Sequence, residues 1–148
     1  MMPLTDRQLS LWRLKRSGLR ISEIAARLGI SRQAVHKGLR AVEAKIYRAL
    51  VSAAMASKVE IRNIDVEKGL LVGWSPWLKV DVYILFSAKN GVQIWFKHEG
   101  NCRECPLRDD CRSLLLDEAE ERGITLPKGE DIEPSQLAKM FFKKLLEV

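Results

Sequence analysis

Ile24-Ala25-Ala26-Arg27-Leu28-Gly29-Ile30-Ser31-Arg32-Gln33-Ala34-Val35 sets two short apolar faces on either side of a glycine. Ile24, Ala25 and Leu28 are spaced for one side of a short helix, with Ser22 as its expected cap. Gly29 suits the left-handed residue at which the chain leaves that helix, and Ile30 plugs the angle that follows. Ser31 then caps a third helix, whose Val35 and Leu39 complete a small core. This is the helix-turn-helix pattern. Upstream, Thr5-Asp6-Arg7-Gln8 is a capping box that opens a first helix with Leu4, Leu11, Trp12 and Leu14 as its apolar positions, closed by Ser17-Gly18.

The polar side of the third helix carries Arg32, Gln33, His36, Lys37 and Arg40 next to Ser31. Donors near a helix N-terminus reach base edges in a major groove, so Arg32 and Gln33 are the candidate base readers. Lys37, Arg40 and Arg20 are candidate phosphate contacts, which position without specifying. His36 is one more polar donor on that face. The competing reading is a three-helix protein-binding module with a solvated face. Charge favours nucleic acid: residues 1–58 hold twelve Lys or Arg against three acids, a net of +9, while residues 59–148 net −3.

These residues resemble a known pattern. Leu4 to Gln8 followed by Ile24 to Val35 is similar to the helix-turn-helix shared by LuxR-type regulators and region four of sigma factors, and to the archaeal Tfx family of DNA-binding proteins. The resemblance covers about residues 4–50, and Asp117 to Ile124 is similar to the Tfx C-terminal region. It implies double-stranded DNA as partner and transcription regulation as activity, with RNA polymerase as a second partner through the sigma-like helices. Cysteines are not part of the Tfx pattern.

Nothing stops the third helix before about Ser57. Val35, Leu39, Val42, Ile46, Ala49 and Ala53 recur at intervals of four and three, the spacing of a coiled-coil seam. Two readings compete for its later part: packing on the second half of the same chain, or pairing with a second copy. The homodimer is preferred, because it sets two recognition helices about 34–36 Å apart. From Val59 the period becomes two. Val59–Arg62, Leu70–Trp74, Val80–Phe86 and Val92–His98 are the expected strands, and Asn90-Gly91 marks a hairpin. A three-residue loop with Gly91 left-handed pairs Ala88 with Val92 and Phe86 with Ile94, which puts both apolar rows on one face. Trp74, Trp77, Tyr83 and Trp95 are a candidate ligand-pocket lining, or core.

Cys102, Cys105 and Cys111 are the only cysteines. Three thiols within ten residues argue against a disulfide framework and for a metal or cluster site, with His98 as a candidate fourth ligand. Pro106 suits the first position of a helix, with Cys111 near its second turn. The spacing C-x2-C-P-x4-C resembles segments of WhiB-type regulators and SPASM-domain enzymes, which implies an iron–sulfur cluster of the 4Fe-4S kind. Zinc held by Cys102, Cys105, Cys111 and His98 is the alternative. Downstream, a helix runs from Leu114 to Glu121 and ends at Gly123. Pro134 opens a last one with Leu137, Met140, Phe141, Leu145 and Leu146 as its stripe.

The whole reads as α+β: a helix-turn-helix domain with a long linking helix over 1–58, then a small antiparallel sheet with helices over 59–148. The function expected is a sequence-specific DNA-binding regulator, redox- or oxygen-responsive through the cysteine site. A purely structural zinc and a polymerase-bound adaptor stand as alternatives. No catalytic constellation points to an enzyme. The longest apolar run, Val82 to Phe86, is too short for a membrane span, and residues 1–6 lack the pattern of a signal peptide. A soluble cytoplasmic protein is expected.

Overall fold

The computed structural model describes residues 4–98, 102–129 and 131–147. Its order is α1 (Asp6–Arg16), α2 (Ile21–Leu28), α3 (Arg32–Ala56), β1 (Glu60–Asp65), β2 (Leu70–Ser75), β3 (Val80–Ser87), β4 (Gly91–Phe96), α4 (Arg108–Glu121) and α5 (Pro134–Glu147). The fold is therefore α+β, and the strands form one antiparallel sheet in sequence order. Among the described residues no helix is long and apolar enough to cross a membrane.

The helix starts follow local chemistry. Thr5 Oγ1 accepts from Gln8 N–H while Gln8 Oε1 accepts from Thr5 N–H, so the capping box is closed. Ser31 Oγ accepts from Ala34 N–H at the head of α3. Ser22, expected to cap α2, lies inside it. The cap position is Arg20, whose N–H and Nε both donate to Glu23 Oε1. The Glu23 carboxylate accepts from the cap residue's own N–H, the reciprocal half of a capping box, and the helix starts two residues earlier than expected. Gly29 is left-handed (φ +65°), as the turn requires.

Helix α3 serves two cores. Its first turns, Val35 and Leu39, close a small cluster with Leu11, Ile24 and Ala25. Gly38 lies on the line where α1 crosses α3, and a Cβ there would run into the Leu11 side chain. From Val42 to Ala54 the same helix lies on the sheet against Leu71, Val82, Ile84 and Phe86. The later part of the expected dimer seam (Val42, Ile46, Ala49) is thus buried inside its own chain, not presented to a second copy. Trp12 of α1 joins this core, its ring 5.4 Å from Phe86 at 59°. Such a tilted pair adds about 1 kcal/mol beyond area.

The other face of the sheet is covered by α4 and α5. Leu70 and Leu85 pack there with Leu115, Leu137 and Phe141. Tyr83 stacks on Phe142 at 4.1 Å. The continuous runs Leu70-Leu71 and Ile84-Leu85-Phe86 are buried on both sides, which explains why their apolar character does not alternate cleanly. The α5 stripe turns slightly from expectation: Phe142 is buried, whereas Met140 and Leu146 are exposed.

The β3–β4 register corrects the expected one by two residues. Phe86 pairs with Val92, Ile84 with Ile94 and Val82 with Phe96, so the same face is kept. The cause is Glu121 at the end of α4. Its carboxylate accepts from Ala88 N–H (2.9 Å) and Lys89 N–H (3.2 Å), taking Ala88 out of the ladder. Gly91 opens β4 at φ +66°. The next residue, Arg122, is spent on backbone carbonyls: Nε donates to Lys68 O, and Nη2 to Gly69 O and Phe86 O, at 2.9–3.1 Å. Its Nη1 pairs with Glu118 at 2.7 Å, with both side chains essentially out of solvent. Burial raises the Glu118 pKa, and the Arg122 guanidinium opposes that shift.

Removing one member of a buried pair leaves the other charge without compensation, so Arg122→Ala is expected to cost about 3–5 kcal/mol in urea denaturation. Glu118→Gln, which leaves the carbonyl bonds of Arg122 in place, is expected to cost less; equal losses would show that the carbonyl contacts contribute nothing.

Candidate nucleic-acid interface and thiol cluster

Glycine at 29 and the Ser31 cap point the first turns of α3 outward. Arg32, Gln33, His36, Lys37 and Arg40 are all exposed, with Val35 and Leu39 buried behind them. Gln33, His36, Lys37 and Arg40 line one shallow concavity. The first turn of α3 contains no acidic residue, so the positive end of the helix is not neutralised locally. Guanidinium, amide, imidazole and ammonium donors at such an end make a surface suited to phosphate and base edges. Arg20, at the head of α2, is exposed, but its Nε is held at 2.7 Å by Glu23. A phosphate at Arg20 has to share that guanidinium with the carboxylate. Arg48 of α3 and Lys58, just past its end, are also exposed, whereas Lys45 donates to Gln8 Oε1.

The cysteines lie on the segment leading into α4. Cys105 N–H donates to Cys102 O, Arg108 N–H to Cys105 O and Cys111 N–H to Leu107 O, so the three sit on successive turns of chain. Cys102 is buried, Cys105 exposed and Cys111 half-buried, and none is in a disulfide. Helix α4 starts at Arg108. Pro106 therefore lies in the turn before it, and Cys111 closes the first helical turn, one turn earlier than the proline suggests. Burial raises the Cys111 thiol pKa, and the neighbouring Cys105, Cys102 and Asp110 push it the same way. Arg112 is committed to Gly129 O and Ile132 O, and Arg103 meets Glu133 at 3.4 Å.

His98, the candidate fourth ligand, is exposed. It lies two residues past β4, with Nδ1 2.7 Å from Phe96 O and its ring 5.8 Å from that of Trp95. Among the described residues no group of three His, Cys, Asp or Glu side chains is gathered closely enough to hold a metal ion. The four aromatics do not line one pocket either. Tyr83 and Trp95 pack on Phe142, Trp74 lies under Arg62 at 5.1 Å, and Trp77 is 87% exposed at the β2–β3 turn.

One cluster has no signature in the sequence. Arg16 of α1 stacks 4.3 Å above the Trp12 ring and pairs with Glu121 at 3.0 Å. Burial and the neighbouring Arg122 lower the Arg16 pKa, against the pull of Glu121. Through Glu121 the first helix is tied directly to the β3–β4 loop.

The Ser31 cap holds the start of α3, on which every candidate base reader stands. Ser31→Ala is expected to lower stability by about 1 kcal/mol, with Ser31→Thr largely preserving it, both read by thermal denaturation. Compared with family models, with curated proteins and with solved structures, the chain matches none.

Proposed function

We propose that this chain is a sequence-specific regulator of transcription that binds double-stranded DNA through the exposed face of α3. The observation that carries the reading is that face itself. Five donor side chains stand together on the first turns of an unneutralised helix start, behind which α2 and the Gly29 turn form a helix-turn-helix brace. The net charge of +9 on residues 1–58 supplies the long-range attraction to phosphate. Arg32 and Gln33 are the base readers; Lys37 and Arg40 contact phosphate, and Arg20 does so in competition with Glu23. Since the α3 seam is used inside the chain, a DNA-bound homodimer has to join through another surface.

The second element of the proposal is the response. Cys102, Cys105 and Cys111 are the thiolate donors of an iron–sulfur cluster, with zinc as the alternative ion. What supports it is the donor set: three soft ligands carried by one loop and the start of the helix it leads into. Bound there, the group supplies a redox-sensitive crosslink between the loop and α4. The chain contributes the rest, because α4 leads to Glu121 and Arg122, which hold the sheet and α1. His98 is the candidate fourth ligand of this set.

Two measurements test the reading. In a competition assay, Arg32→Ala with Gln33→Ala is expected to reduce binding to the selected site by about 1–3 kcal/mol per lost base contact while binding to random DNA falls much less. Equal losses on both DNAs mean that these residues do not read bases. Metal and sulfide analysis of protein purified without oxygen is expected to give several irons per chain with matching sulfide, lost in Cys105→Ser. One zinc and no visible absorption makes the site a structural staple, and no metal at all ends the cluster assignment.

A further inference from the structure

The sheet ends in two edges, β1 and β4, and only one of them is blunted. The β1–β2 register shifts between Ile61 and Asn63, and Glu60, Arg62 and Asp65 put charge along that strand. A bulge and charges keep an edge from pairing. By contrast β4 runs Gly91–Phe96 in unbroken register with no charged residue, and every position is half-buried. Hydrogen bonds fix which way its backbone faces. Phe86 N–H donates to Gly69 O, so the even-numbered residues of β3 bond toward β2 and the odd-numbered ones toward β4. Lys97 N–H donates to Asp81 O, one step beyond the Val82–Phe96 pair and in phase with that alternation. Gly91, Gln93 and Trp95 therefore face β3, and the N–H and C=O groups of Val92, Ile94 and Phe96 point out of the sheet. Among the described residues the one partner of these groups is His98, whose Nδ1 lies 2.7 Å from Phe96 O. A carbonyl keeps a second lone pair for another donor.

We infer that β4 is the interface with a second copy of this chain, paired antiparallel about a two-fold axis through Ile94. Of the registers that a two-fold axis permits, this one alone uses every outward group: Ile94 meets Ile94 of the partner subunit, and Val92 meets Phe96 of the partner subunit. A shift to either side leaves Phe96 or Val92 beyond the end of the opposing strand. Main-chain hydrogen bonds supply the attraction, as in any strand added to a sheet edge. The side chains agree with them. The row Val92, Ile94 and Phe96, which packs on the α3 core, continues into the same row of the second copy. Lys97 falls opposite glycine, so no like charges are set face to face. The two four-stranded sheets become one, with both α3 helices on the same side of it. Two recognition helices that meet one DNA need that arrangement, and the α3 seam is already used inside the chain.

The test is made on the full chain without DNA. Sedimentation equilibrium is expected to give twice the 16.9 kDa of one chain. Amide hydrogen exchange read by NMR identifies the surface. The Val92, Ile94 and Phe96 amides are expected to exchange as slowly as those of Gln93 and Trp95 in the dimer, and to become fast on dilution. Ile64 of β1 is expected to stay fast throughout. Ile94→Pro removes an outward donor and no bond to β3, and is expected to halve the mass; if that variant does not fold, the exchange pattern of the parent decides. A one-chain mass, which leaves the edge to a strand from another protein, overturns the inference. So does a dimer whose Val92, Ile94 and Phe96 amides exchange freely, or a folded Ile94→Pro that stays dimeric. Base reading by α3 is judged separately, by competition on DNA, so the two proposals fail independently.

Discussion

A single guanidinium, that of Arg122, fastens the parts of this molecule that sequence keeps far apart. It sits at the C-terminal end of α4 and reaches the carbonyls of Lys68, Gly69 and Phe86. A turn between β1 and β2 and the end of β3 therefore share one donor group. Such a charge is tolerated out of solvent because all its hydrogen-bonding positions toward these partners are directional and Glu118 balances the charge. The neighbouring Glu121 repeats the arrangement with opposite sign, giving acceptors to the Ala88 and Lys89 amides and to Arg16. Two adjacent residues thus align helix, sheet and first helix without contributing any apolar area.

What the sequence makes legible is what is local. The Thr5–Gln8 box, the Ser31 cap, the Gly29 turn and the alternate burial of Val82, Ile84 and Phe86 depend on neighbours within a few residues. Side-chain chemistry and period suffice there. The surface candidates on α3 are legible for the same reason, since exposure follows once the buried stripe of one helix is known. The cysteine spacing identifies a thiol cluster, whereas the orientation of His98 depends on where β4 ends and on the Phe96 carbonyl.

The rest depends on partners distant in the chain. Asp117-Glu118-Ala119-Glu120-Glu121-Arg122 reads as a solvated acidic run, yet the Glu118 and Arg122 side chains are out of solvent and Glu121 sets a hairpin register from more than thirty residues away. Charge in sequence carries no mark of burial when its partner is a backbone carbonyl elsewhere. The seam on α3 fails for a related reason: intervals of three and four describe any helix with one apolar face, and a sheet covers that face as well as a second helix does. Phe142 escapes notice because its neighbour Phe141 already fills the expected stripe, and only the stacked Tyr83 ring across the sheet calls for it.

Helix α3 runs unbroken for 25 residues, about 37 Å, from the exposed donors into the middle of the sheet. Cutting the chain after residue 58, where charge and period both change, looks natural on paper. It would nevertheless strip the cover from Val42, Ile46, Ala49, Leu50 and Ala54, which the sheet keeps dry. An excised N-terminal piece would carry a bare greasy stripe along more than half of its longest helix and would stick to its own kind. Fragments taken for crystallisation or for one-hybrid assays would then report an association that belongs to the cut and not to the protein.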